Sequence, residues 1–161
     1  MSIYTVEKPE IRLVGVSVRT TNQVELGPNG LLPGLWDTYF GSSLASRAGM
    51  GSSEPLYSLY TDYESDASGA YTVVIGHEVS EEAAFQPDDK LSYAVIPASK
   101  YLVFTAEKGP VNEVVPEAWR EIWAYFEKSP ELRTYTGDYE LYPSRNLDPG
   151  ANEVQIYIAV K

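Results

Sequence analysis

A repeat inside the chain restricts its fold more than any other feature. Leu32-Pro33-Gly34-Leu35-Trp36 matches Val115-Pro116-Glu117-Ala118-Trp119 at an offset of 83 residues, and Tyr57-Ser58-Leu59-Tyr60 matches Tyr139-Glu140-Leu141-Tyr142 at an offset of 82. A near-constant offset over two separate elements marks an internal duplication. Each copy has the same sequence of patterns. The β-branched stretch Ile11 to Arg19 reads as a strand. After the turn Gly27-Pro28-Asn29-Gly30, the apolar positions Leu32, Leu35, Trp36, Tyr39, Phe40 and Leu44 draw one helical stripe, with Gly49 and Gly51 as its stop. Pro55 to Tyr63 and Ala70 to Val79 then read as an antiparallel hairpin. In the second copy Tyr93 to Ile96 and Lys100 to Glu107 are strand-like, and Val115, Ala118, Trp119, Ile122, Trp123 and Phe126 form a helical stripe that ends at Ser129-Pro130. Tyr135 to Tyr142 and Glu153 to Val160 close the chain across the turn Asn146 to Gly150.

The predicted order is therefore β-α-β-β twice, in one domain spanning residues 1–161, with repeat one over about 1–85 and repeat two over about 86–161. A lone βαββ unit leaves a helix stripe and a sheet face uncovered. Two units side by side make an α+β fold with one antiparallel sheet, two helices on one face and a central groove at the pseudo-two-fold seam, a favoured place for a ligand.

Period-two alternation sets Tyr57, Leu59, Tyr139 and Leu141 on one face and Ser58, Tyr60, Glu140 and Tyr142 on the other. The Tyr/Leu face is expected to meet the helices. The two copies part at one point, where the first has Ser58 and the second Glu140. A carboxylate among tyrosines is penalised by desolvation unless a cation arrives or its pKa rises; on an open sheet it would simply face water. Trp36, Trp119 and Trp123 lie on the helical stripes, as core residues, as stacking walls of the groove, or as both.

Other chemistries have little to stand on. The chain has one histidine, His77, no cysteine and no HExxH spacing, so no metal or cofactor site is expected. A serine triad lacks a G-x-S-x-G elbow, so His77 reads as structural or surface. Gly49-Met50-Gly51-Ser52-Ser53 lacks P-loop spacing and reads as a helix-ending loop. Twelve basic side chains against 23 acidic ones give a net charge of −11, with Lys and Arg scattered, a field that repels nucleic acid and draws in cations. No apolar run approaches the ~18 residues of a spanning helix and no leader pattern opens the chain, so a cytoplasmic protein is expected. Thirteen tyrosines, three tryptophans and four phenylalanines suit a pocket for organic cations as well as half-exposed strands.

Pro97-Ala98-Ser99-Lys100-Tyr101-Leu102-Val103-Phe104, then Gly109-Pro110, Trp123, Glu140-Leu141-Tyr142 and Ile156 to Lys161 resemble the effector-binding domain of AraC-type and MerR-type transcription activators, the gyrase-inhibitor-like family. The resemblance runs along essentially the whole chain. Leu56 to Asp66 and Gly69 to Val79 are similar to its stand-alone members, including those carried on integron cassettes. The resemblance implies a tandem βαββ fold with an aromatic central groove, in which the acidic residue of a Glu-x-Tyr motif meets lipophilic cations; that residue falls on Glu140. Ser99 stands where relatives often carry Gly, and Ala159 where many carry Pro. No helix-turn-helix region accompanies the two repeats.

The leading expectation is a sensor or sequestering module for small cationic amphiphiles, without direct contact to nucleic acid or membrane. Glu140 serves as counter-ion, and Trp36, Tyr60, Trp123, Tyr142 and Tyr157, together with Tyr93 and Trp119, surround it. Two alternatives stand beside it. One is a hydrolase of electrophilic small molecules using the same acid and aromatic groups, for which no dedicated second catalytic group is visible. The other is an acidic module that binds a protein partner.

Overall fold

The computed structural model describes residues 3–41, 55–65, 68–79, 92–142 and 153–161. The expected helix end at Leu44 to Gly51, the Gly49 to Ser53 loop and the turn Asn146 to Gly150 lie outside them.

Eight strands form one sheet in the order β1-β6-β8-β7-β3-β4-β2-β5, with every neighbouring pair antiparallel. The strands are β1 (Ile3–Lys8), β2 (Ile11–Thr21), β3 (Leu56–Thr61), β4 (Ala70–Glu78), β5 (Ser92–Ile96), β6 (Ser99–Thr105), β7 (Asp138–Tyr142) and β8 (Gln155–Val160). Among the described residues three helices join them: α1 (Asn22–Leu26), α2 (Leu32–Gly41) and α3 (Val111–Lys128). The fold is α+β, and the tandem repeat is visible in the sheet. The halves β2-β4-β3 and β6-β8-β7 are mirrored in strand order about a β3/β7 seam.

The structure places a strand before each βαββ unit: β1, which the pattern does not predict, and β5, which corresponds to the strand-like Tyr93 to Ile96. β1 precedes β2 as β5 precedes β6, making the unit ββαββ, and these leading strands are exchanged. β1 pairs with β6 of the second half, and β5 pairs with β2 of the first. β1 escaped the periodicity because it is an edge strand whose residues are exposed or half-exposed, so no alternation of burial marks it.

The seam register is Leu56 to Tyr142, Tyr57 to Leu141, Ser58 to Glu140 and Leu59 to Tyr139. Exchanging each residue with its repeat mate maps the Ser58–Glu140 pair onto itself. The pseudo-two-fold axis therefore passes through that pair.

Both faces of the sheet are buried. On the helix side Leu35 and Tyr39 of α2, and Val115, Ala118 and Ile122 of α3, join Val14, Val73, Ile75, Phe104, Ile156 and Ile158 in one core. On the other side Leu13, Leu59, Val74, Tyr57, Tyr101, Tyr139 and Tyr157 form a second core, in which the Tyr139 and Tyr157 rings stack at 4.5 Å and 8°. The expected facing is thus reversed at the seam: Tyr57, Leu59 and Tyr139 turn away from the helices, while Tyr60, Glu140 and Tyr142 lie beneath them. Alternation could not orient the sheet because neither face is left to water.

Local chemistry sets the helix ends. The Thr21 hydroxyl accepts from the Val24 N–H at 3.1 Å and caps α1. The Glu25 carboxylate accepts from the Leu31 and Leu32 N–H groups at 3.0 and 3.1 Å, where α2 begins. α3 ends as expected at Ser129, whose N–H reaches the Tyr125 carbonyl at 2.9 Å. Gly15 and Gly76 face each other between β2 and β4, and a Cβ on Gly76 would stand 2.0 Å from the Val14 carbonyl oxygen.

Candidate functional site

A cavity of about 710 Å³ lies on the helix side of the sheet, between α1, α2 and α3 and above the seam. The repeat explains its walls. Pro33 and Trp36 of α2, and Pro116 and Trp119 of α3, are spaced three apart, so each pair shares a helix face, and both faces line the cavity. One step around each helix, Leu35 and Ala118 turn into the core. Trp36 and Trp119 are half-buried: they pack against the core and also present surface to the cavity. Trp36 meets Tyr142 edge-on at 5.5 Å, Tyr60 lies 5.2 Å from Trp119, and Trp119 lies 6.3 Å from Trp123.

Glu140 lines the same cavity and is 3% exposed. Its carboxylate accepts three hydrogen bonds. The Tyr60 hydroxyl and the Trp119 indole N–H donate to Oε2 at 2.8 and 2.7 Å, and the Tyr142 hydroxyl donates to Oε1 at 2.5 Å. Burial pushes its pKa up, and the bonds from Tyr142, Trp119 and Tyr60 act against that rise without cancelling it. Burial first, and then the Glu140 charge, push the Tyr60 and Tyr142 phenols well above their ordinary range, so both remain donors at neutral pH.

Two residues earlier on the same strand, Asp138 shows what a paired acid looks like in this protein. Its carboxylate takes the Arg133 guanidinium at 2.7 Å, the Tyr63 hydroxyl at 2.6 Å and the Ala159 N–H at 2.8 Å. Asp138 has an internal cation; among the described residues Glu140 has only neutral donors.

Six of the eight residues singled out from sequence come together here: Glu140, Tyr60, Tyr142, Trp36, Trp119 and Trp123. Two do not. Tyr157 belongs to the second core, because Ile156 and Ile158 are the β8 residues that face the helices. Tyr93 is 51% exposed on β5 at the sheet edge. Sequence reading passed over Glu25, Asn22, Tyr63, Tyr71 and Arg133, which also line the cavity. Glu25 sits beside a segment that reads as a turn. Arg133 sits in the link between α3 and β7, where Tyr135 adopts a left-handed φ of 55°.

His77 is fully buried, outside the cavity lining, and structural. Its Nδ1 lies 2.9 Å from the Pro55 carbonyl oxygen and its Nε2 lies 2.5 Å from the Tyr39 hydroxyl. A carbonyl only accepts, so Nδ1 carries a proton, and in the neutral ring Nε2 accepts from the Tyr39 hydroxyl. Among the described residues no cluster of three or more His, Asp or Glu side chains could hold a metal, and no helix is long and apolar enough to cross a membrane.

The family model for the GyrI-like small molecule binding domain matches residues 1–161. The chain belongs to that family. Among curated relatives, this GyrI-like domain is 36% identical over 154 residues to YobU of Bacillus subtilis (strain 168), provisionally named a transcriptional regulator, covering 93% of this chain and 92% of that one. Among solved structures, the GyrI-like domain is similar to the integron cassette protein VCH_CASS2 of Vibrio cholerae, at 31% identity and a TM-score of 0.79 over 99% of this chain and 95% of that one. SAV2435, solved bound to tetraphenylphosphonium, shares the fold at 18% identity and a TM-score of 0.75, covering 100% of this chain and 94% of that one.

Proposed function

We propose that this GyrI-like domain binds small lipophilic organic cations in the cavity above the β3/β7 seam, with Glu140 as counter-ion, and serves as a sensor or sequestering module. One observation carries the reading: Glu140 is buried on the cavity wall with three neutral donors and, among the described residues, no cationic partner. A desolvated carboxylate without a cation is costly, and an incoming cation removes that cost at the moment of binding. The aromatic lining from Trp36, Trp119, Trp123, Tyr60 and Tyr142 adds attraction that tolerates differences in ligand shape, about 0.5–2 kcal/mol for each well-placed ring. The tetraphenylphosphonium held by SAV2435 is a ligand of this chemistry on the same fold.

Tryptophan fluorescence tests the reading, because all three tryptophans line the cavity. Titration with a rhodamine cation should quench saturably at one equivalent, without consumption of the dye. Glu140→Gln should weaken that binding about 30-fold or more, the lower end of what truncating one partner of a desolvated charge pair costs. A neutral dye of similar size should be nearly indifferent to the substitution. Equal losses for both dyes would remove Glu140 as the counter-ion.

A further inference from the structure

Among the described residues, Glu140 is one of two carboxylates on the cavity. The other is Glu25 of α1, and its surroundings repeat those of Glu140 in kind. The Thr20 hydroxyl and the Leu31 N–H donate to its Oε2 at 2.5 and 3.0 Å, and the Leu32 N–H donates to its Oε1 at 3.1 Å. Three neutral donors again share two oxygens. The two arginines that line the cavity among the described residues are each matched by an acid of their own, Arg120 by Glu117 and Arg133 by Asp138. The lining therefore carries two carboxylates that neutral donors hold and two guanidinium groups that carboxylates neutralise.

The tyrosines Tyr60 and Tyr71 connect the two carboxylates. The Tyr60 hydroxyl donates to Glu140, its ring lies 5.5 Å from that of Tyr71, and the Tyr71 hydroxyl donates at 2.7 Å to Asn22, three residues before Glu25 on α1. Burial, then the charge of Glu25, then that of Glu140, push the Tyr71 phenol upward, so both acids act on one ring. Glu140 and Glu25 are thus two negative poles of a single cavity with aromatic faces between them.

We propose that Glu25 is a second cation-recognition residue and that the cavity selects dications whose two positive charges are separated by one flat aromatic spacer. The inference rests on the reading of Glu140 as counter-ion. A monocation balances one pole and leaves the other. A dication balances both, while its spacer lies against the Tyr60 and Tyr71 rings.

Two isosteric probes isolate the second charge: para-xylylene-bis(trimethylammonium), and the monocation in which one nitrogen is replaced by carbon. Wild-type protein should bind the dication about tenfold or more tightly than the isostere, by fluorescence titration, the ~1.4 kcal/mol that one further charge contact supplies. In Glu25→Gln the ratio of the two affinities should fall to near one. The ratio is the decisive quantity, because both probes report from the same folded fraction and a partly destabilised variant lowers both alike. Should Glu25→Gln fail to fold, the wild-type ratio decides alone. A wild-type ratio near one, or a ratio that Glu25→Gln leaves unchanged, overturns the proposal. If the monocation binds and depends on Glu140 while the ratio is one, Glu25 alone is dismissed. If neither probe saturates wild-type protein, the reading of Glu140 falls and this inference falls with it.

Discussion

Glu140 combines deep burial with three hydrogen bonds, and the balance between them sets how the protein responds to pH. Its carboxyl is held above the ordinary range, so the folded state keeps this proton more tightly than the unfolded chain does. Stability from this group is full below the unfolded-state pKa of about 4.3 and is lost as pH rises through the raised folded value. Glu140→Gln has no such slope, so urea denaturation of both proteins between pH 4 and 8 should show their difference moving in favour of the variant as pH rises. A difference that stays flat would mean that burial does not raise Glu140. Cation binding has the opposite sign: affinity should climb with pH through the Glu140 pKa and level off above it, and the climb should be absent in Glu140→Gln. Trp119→Phe removes one donor from the carboxylate. It should move that climb to higher pH and lower cation affinity on the climb by about tenfold, near the ~1.5 kcal/mol of a hydrogen bond to a charged group. At this scale the sequence was informative where the two repeats disagree, as Ser58 and Glu140 do. It was silent on Arg133 and Asp138, which pair across a link where Tyr135 takes a left-handed backbone.

The elements differ in how firmly they are anchored. α2 carries Trp36 to the cavity, and Tyr39 from the same helix is bound to His77 of β4, whose other nitrogen holds the Pro55 carbonyl just before β3. His77→Phe removes the bonds to the Tyr39 hydroxyl and the Pro55 carbonyl, at about 1–3 kcal/mol for each. Thermal or urea unfolding should show a loss of roughly 2–4 kcal/mol, and cation affinity should fall although Glu140 is untouched. Undiminished affinity would show that α2 holds its place without this link. Gly76→Ala should cost about 3 kcal/mol or more, because a methyl group there meets the backbone of β2 rather than a side chain that could turn aside. Helix positions were legible because stripes such as Val115, Ala118 and Ile122 have one buried side. The strand facing was not, since residues of both parities in β3 and β7 are buried and the alternation carries no sense of inside and outside.

Across the whole molecule, two physical facts act together: the net charge of −11 and the exchange of leading strands between halves. The charge draws cations toward the protein, so added salt should lower the association rate of a cationic dye in stopped-flow measurements far more than it raises the dissociation rate. A neutral dye should show neither change. The exchange interlocks the halves, because β2 has β5 as its outer neighbour and β6 has β1. Cutting the backbone at a protease site inserted between Val79 and Ser92 should leave two pieces that elute together on size exclusion and separate only in denaturant. This pairing was beyond the reach of local patterns, which find strands but not the neighbours they choose. The Ser58–Glu140 pair, lying on the pseudo-two-fold axis, adds a consequence for how such a protein can arise. A homodimer of identical half-chains would set two copies of one residue against each other at that point, either two serines with no charge or two glutamates repelling across the seam. Joining the halves in one gene released the two positions from that identity, and only then could a single carboxylate occupy the centre of symmetry.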